Sequence, residues 1–103
     1  MSKVWHIVLF QTAPDVTPER VKQIRSMFEE CVGQVEGLEW VRTGSNNSAS
    51  DFAKGWTESV VMQFSDIRSR DAYIPHPCHQ RAGREAANGY YTRIVVFDME
   101  VDD

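Results

Sequence analysis

Apolar residues alternate in some stretches of this chain and recur every three or four positions in others, and the two rhythms separate strands from helices. "KVWHIVLFQT", Lys3 to Thr12, is β-branched and aromatic, contains no Gly or Pro, and halts before the turn residues "APDV", which predicts a first strand. Thr17 then stands as an N-cap ahead of Pro18 at the first helical position. Val21, Ile24, Phe28, Val32 and Val35 follow at helical spacing and predict an amphipathic helix that stops near Gly37. "LEWVRTGS" and "GWTESVVMQF" are two more β-rich runs, parted by the polar loop "NNSASDFAKG". "DIRSRDAYI" offers an Asp cap and a short helical turn. "HPCHQRAGREAANGY" restarts a helix at a proline, and "YTRIVVFDMEV" closes as a strand, so the second helix is expected to break near Pro75.

The order is βαββαβ, which predicts an α+β, ferredoxin-like fold: an antiparallel sheet with its helices on one face. A chain of 103 residues is too short for two cores, so a single domain over residues 1–103 is expected. Strand alternation puts His6, Val8 and Phe10 on one side of the first strand and Trp5, Ile7 and Leu9 on the other, and both sides are apolar. The last strand behaves likewise, with Val95 and Phe97 opposed by Ile94 and Val96. Helices cover one face only. Leaving Trp5, Ile7, Leu9, Ile94 and Val96 in water forgoes about 1.5 to 3 kcal/mol for each side chain. A second copy placed sheet to sheet is therefore expected, making a homodimer.

Composition narrows the partners. The net charge is -4 and the 11 Lys and Arg residues are scattered, so the basic stripe that nucleic acid demands is missing. Apolar runs such as "IVLF" and "IVVF" fall far short of a membrane span, and no signal-peptide pattern opens the chain, so a cytoplasmic protein is expected. Cys31 and Cys78 are too few and too distant in sequence to suggest a disulfide framework or a CxxC site, and read as free thiols.

The chemistry-bearing stretch is "YIPHPCHQRAG", with two of the three histidines. His76 and Pro77 form a helix start, which leaves His76 and His79 one turn apart but with no third ligand near in sequence, so no metal is expected. His6 shares the helix-facing side with Val8 and Phe10. Glu58 shares a side with Val60 and Met62 on the third strand, as an acidic partner for His6 or as a solvated rim residue. Tyr73 precedes the cluster, and a phenol beside an imidazole can donate, accept or orient a hydrogen bond. His6, Tyr73, His79 and Glu58 together form the polar end of a mostly apolar pocket, with Val8, Phe28 and Val60 as binding walls.

"HIVLF", the long amphipathic helix, "GWTESVVMQF", "YIPHPCH" and the closing "VVFD" together resemble the stress-responsive α/β-barrel (Dabb) domain, also called the dimeric α/β barrel, over nearly the whole chain. The resemblance implies a ferredoxin-like fold dimerised into an α/β barrel. A plant polyketide cyclase of that family uses a tyrosine and the last histidine of the motif as its catalytic pair. These match Tyr73 and His79, and its first-strand histidine matches His6. Two positions depart: Glu58 stands where that cyclase has a histidine, and its helix tyrosine falls near Met27 and Phe28. The function expected is a homodimer that binds a small apolar or carboxylate-bearing molecule between sheet and helices. Two alternatives stay open. One is a cofactor-free acid/base enzyme of cyclase, aldol or isomerase type using His79 and Tyr73 with His6; the other is a structural module without a ligand. None of the three readings calls for a cofactor.

Overall fold

A computed structural model describes residues 2–102. Four strands, β1 (Ser2–Thr12), β2 (Leu38–Ser45), β3 (Glu58–Phe64) and β4 (Tyr91–Asp102), and three α-helices, α1 (Pro18–Glu29), α2 (Ile67–Tyr73) and α3 (Pro77–Ala87), follow in the order β1-α1-β2-β3-α2-α3-β4. The strands form one antiparallel sheet in the order β2-β3-β1-β4, so the chain folds as the ferredoxin-like βαββαβ. Val4, Val8, Phe10, Val60, Met62 and Phe64 turn inward and pack under the helices with Ile24 and Phe28. Among the described residues no helix is long and apolar enough to cross a membrane.

The helix starts follow local chemistry. The Thr17 hydroxyl accepts from the Arg20 N–H at 3.1 Å, and Asp66 accepts from the Ser69 N–H at 2.8 Å. His76 caps α3: its Nδ1 accepts from the Cys78 N–H at 3.0 Å, with Pro77 at the first helical position. The break near Pro75 is therefore a stop and a restart, and it turns α2 and α3 into separate arms over the sheet.

Three expectations change. The first helix ends at Glu29 rather than near Gly37, because Gly33 takes a left-handed φ of 92° and the chain turns. Val32 is thereby left exposed while Val35 still reaches the core. That turn carries Cys31 to the start of α3, where it is bonded to Cys78 with the Cα atoms 5.8 Å apart, so the two are not free thiols. Sequence distance hid a spatial neighbour. The third change is the facing of β4. Val8 pairs with Val96 and Phe10 with Ile94, and directly opposed residues share a face. Ile94 and Val96 thus lie on the helix side, and Val95, Phe97 and Met99 join Leu9, Ile7 and Trp5 on the outer side. Periodicity shows that both faces are apolar; only the ladder register tells them apart.

Closing a loop with a sequence separation of 47 restricts the unfolded chain, which amounts to about 4 kcal/mol in the chain-entropy picture. Urea unfolding should therefore show a lower midpoint with reductant than without, and the Cys31→Ser/Cys78→Ser double variant should match the reduced protein. Identical midpoints in all three would mean the bond does not form in solution.

Candidate functional site

Beneath α2 and α3, against β1 and β4, lies a cavity of about 260 Å³. Its floor is His6, Val8 and Phe10 of β1 with Ile94 and Val96 of β4; Phe28 of α1 closes one end. The roof is Tyr73 and Ile74 at the end of α2, and His79, Gly83 and Ala86 on α3. The opening has a simple cause. α3 presents Gly83 and Ala86 toward the sheet, too small to reach β4, and β4 is an edge strand, so Val96 remains 52% exposed on the side where the helices should cover it.

The polar end is built from three rings. Tyr73 and His79 lie with centroids 4.5 Å apart, and His6 with its centroid 5.8 Å from Tyr73. The Nδ1–H of His79 donates to the Ile74 carbonyl at 2.8 Å, which fixes the tautomer and leaves Nε2 as the lone-pair nitrogen of the neutral ring. His6 Nδ1 donates to Asp98 Oδ1 at 2.7 Å, and Arg70 Nη1 donates to the other carboxylate oxygen of Asp98 at 2.6 Å. This is a three-member chain from a surface guanidinium to a buried imidazole. Tyr73 is fully buried, and its hydroxyl is the buried side-chain polar atom left without a partner among the described residues. Burial pushes its pKa well up, so the group stays a phenol and a donor.

The residues expected from the sequence divide. His6, Tyr73, His79, Val8 and Phe28 line the cavity; Glu58 and Val60 do not. Val60 is core. Glu58 points into the same layer further along the sheet, opposite Phe10, where its Oε1 accepts from Arg25 Nε at 2.9 Å and Nη2 at 2.6 Å and its other oxygen accepts from the Ser45 hydroxyl. The carboxylate partner of His6 is thus Asp98, not Glu58. A buried Glu needs a cation, and α1 supplies one. Glu58 and Ser45 instead border an open cavity of about 510 Å³ under the polar loop that follows β2. Its lining is mostly Ser and Asn, and it holds no histidine. Sequence reading missed Asp98, Arg70, Gly83 and Ala86. The available signals were an acid in the apolar run "IVVFD" and two small residues one helical turn apart on α3. Among the described residues no three His, Cys, Asp or Glu side chains converge as a metal set.

His6 has a lowered pKa, chiefly because burial penalises the cation; Asp98 opposes this, and His79 and Arg70 add to it. The unfolded chain therefore binds a proton that the folded chain resists, and this part of the stability is lost as pH falls below about 6.5. The urea midpoint should drop between pH 7 and the onset of carboxylate titration, and His6→Gln should flatten that slope. Equal slopes would show that His6 does not carry it.

Known proteins share this architecture. The chain matches the stress responsive A/B barrel domain over residues 4–101. It is 19% identical over 95 residues to olivetolic acid cyclase of Cannabis sativa, an alignment spanning 92% of this chain and 93% of that protein. Among solved structures, a dimeric ferredoxin-like protein of unknown function from Jannaschia superposes with a TM-score of 0.84 at 24% identity, covering 96% of this chain and 99% of the other. Hydroxynitrile lyase from Passiflora edulis superposes with a TM-score of 0.87 at 16% identity, covering 98% and 94%. With the family match running from Val4 in β1 to Val101 in β4, this chain belongs to the stress responsive A/B barrel (Dabb) family.

Proposed function

We propose that the protein is a homodimer whose cavity between sheet and helices binds a small, largely apolar molecule, and that His79 and Tyr73 carry out acid/base chemistry on it without a cofactor. The observation that carries this reading is the Tyr73 hydroxyl, buried and unpartnered beside a histidine whose tautomer is fixed. A buried hydroxyl without a hydrogen bond costs about 1 to 3 kcal/mol, a cost that a ligand oxygen would remove. A carbonyl placed there accepts from the phenol, which stabilises negative charge developing on its oxygen. His79 Nε2 takes the proton from the adjacent carbon or hydroxyl, and returns it after the bond rearrangement. His6, held by Asp98, occupies the third corner and orients the molecule. Relatives named as a cyclase and a hydroxynitrile lyase are compatible with such a pocket.

The dimer rests on the outer face of the sheet. Trp5, Ile7 and Leu9 of β1 adjoin Val95, Phe97 and Met99 of β4, and Phe97 is 59% exposed. An isologous sheet-to-sheet contact covers this stripe on both copies. Dimeric relatives of the same fold support it.

Tyr73→Phe removes only the unpartnered hydroxyl and should leave the urea midpoint unchanged or raised, while cutting turnover by about a hundredfold or more. His79→Ala should abolish turnover with the fold intact. A screen of small carbonyl compounds in which both variants match the wild type sinks the acid/base reading. Separately, Phe97→Asp should halve the mass seen by light scattering; an unchanged mass rules out the sheet-to-sheet arrangement.

A further inference from the structure

Resting on the binding reading above, we infer that the cavity selects an uncharged carbonyl compound, one ring or a short chain in size, and discriminates against the carboxylate of the same skeleton. The inference comes from the balance of donors, acceptors and charge around the three rings.

Two imidazoles and one phenol supply the polar end, and their outward partners decide what remains for a ligand. His79 spends its Nδ1–H on Ile74 and His6 spends its own on Asp98, so each ring in its neutral form offers only the Nε2 lone pair. Tyr73 offers the hydroxyl donor at that end; the second phenol of the lining, Tyr91, packs beside Phe10 with ring centroids 5.5 Å apart, at the other end of the β1 floor from His6. A ligand that fits must therefore accept once, toward the phenol, and is free to donate toward the imidazoles. A ketone, an aldehyde or the enol of a diketone meets that pattern. A carboxylate brings acceptors alone, so its second oxygen would face imidazole lone pairs.

Charge points the same way. No Lys or Arg lines the cavity. The guanidinium joined to His6 through Asp98, that of Arg70, is already engaged by Asp98 at 2.6 Å and by Asp71 at 2.9 Å, and Asp98 itself sets a negative charge directly behind His6. An anion entering here sheds its water without gaining a cation, and desolvating a carboxylate without a partner is among the more costly steps a protein can take. The apolar remainder, Val8, Phe10, Phe28 and Val96, offers it nothing in return. A volume of about 260 Å³ lies just under the usual range for drug-sized ligands, which limits the body to a single ring or a short chain.

Matched probes test this directly: 4-phenylbutan-2-one against 3-phenylpropanoate, alike in skeleton and differing in the charged group. Each would be titrated into the wild-type protein at about pH 7.5, where free imidazole is mostly neutral, following the ring resonances of His6 and His79 and the heat of binding. The expected result is a ketone bound about tenfold or more tightly than the carboxylate, with Tyr73→Phe narrowing the gap by weakening the ketone alone. Carboxylate binding of equal or greater strength that shifts the His79 resonances overturns the selectivity and leaves the binding site standing. Ketone binding undiminished in Tyr73→Phe also overturns it, since the phenol then plays no part. If neither probe binds or moves either histidine, the binding reading itself falls, and this inference with it.

Discussion

In the ladder between β1 and β4, His6 stands opposite Asp98, Val8 opposite Val96, and Phe10 opposite Ile94. Strand side chains alternate, so a slip of one residue would turn all three β4 residues to the opposite face at once. The cavity would lose its floor, His6 would be buried without its carboxylate, and Val95 and Phe97 would face the helices. The outer stripe would then carry Ile94, Val96 and an acid in place of three large apolar groups. Site and outer face are therefore two readings of one register. It is held by burial of the inward β1 residues on one side and by the His6–Asp98 hydrogen bond across the pair.

That hydrogen bond also explains why a histidine is tolerated in the core. His6 is buried among Phe64 and Tyr73, where a bare imidazolium would be strongly disfavoured. Asp98 lies at the exposed edge strand with its side chain 27% accessible, and Arg70 neutralises its second oxygen. The charge stays near solvent and only the neutral ring goes inside. Glu58 shows the other solution. Its carboxylate is itself buried, and Arg25 reaches in from α1 to meet it. One sheet face thus carries two polar clusters: the one at Glu58 borders the open Ser- and Asn-lined cavity, and the one on the β4 side borders the apolar cavity that holds His6, Tyr73 and His79.

Much of this was legible in the sequence because it is local. Thr17-Pro18 and His76-Pro77 announce helix starts, and the inward set His6, Val8, Phe10 follows from alternation alone. The Tyr73–His79 spacing across a broken helix placed both rings in one wall. What stayed hidden depends on contacts distant in sequence. The side of β4 on which Asp98 lies is a matter of register, invisible when both faces are apolar. Val32 fits the helical period of α1, yet Gly33 ends the helix, because a left-handed turn with a partner for Cys31 outweighs one more turn of propensity. Glu58 sat on the correct face but at the wrong height, since alternation fixes the side of a sheet and says little of position along it.

The bond between Cys31 and Cys78 divides the polypeptide into a covalent loop and two free arms. The loop holds β2, β3 and α2, and therefore Tyr73, while β4 belongs to the C-terminal arm and pairs only with β1. The roof of the cavity is consequently anchored at Cys78, the residue before His79, whereas part of its floor is an edge strand with no crosslink. The wall that carries Tyr73 and His79 is thus tied to the first helix's end by a covalent bond, whereas Ile94 and Val96 keep their place in the floor through the β1–β4 ladder and the His6–Asp98 hydrogen bond across it.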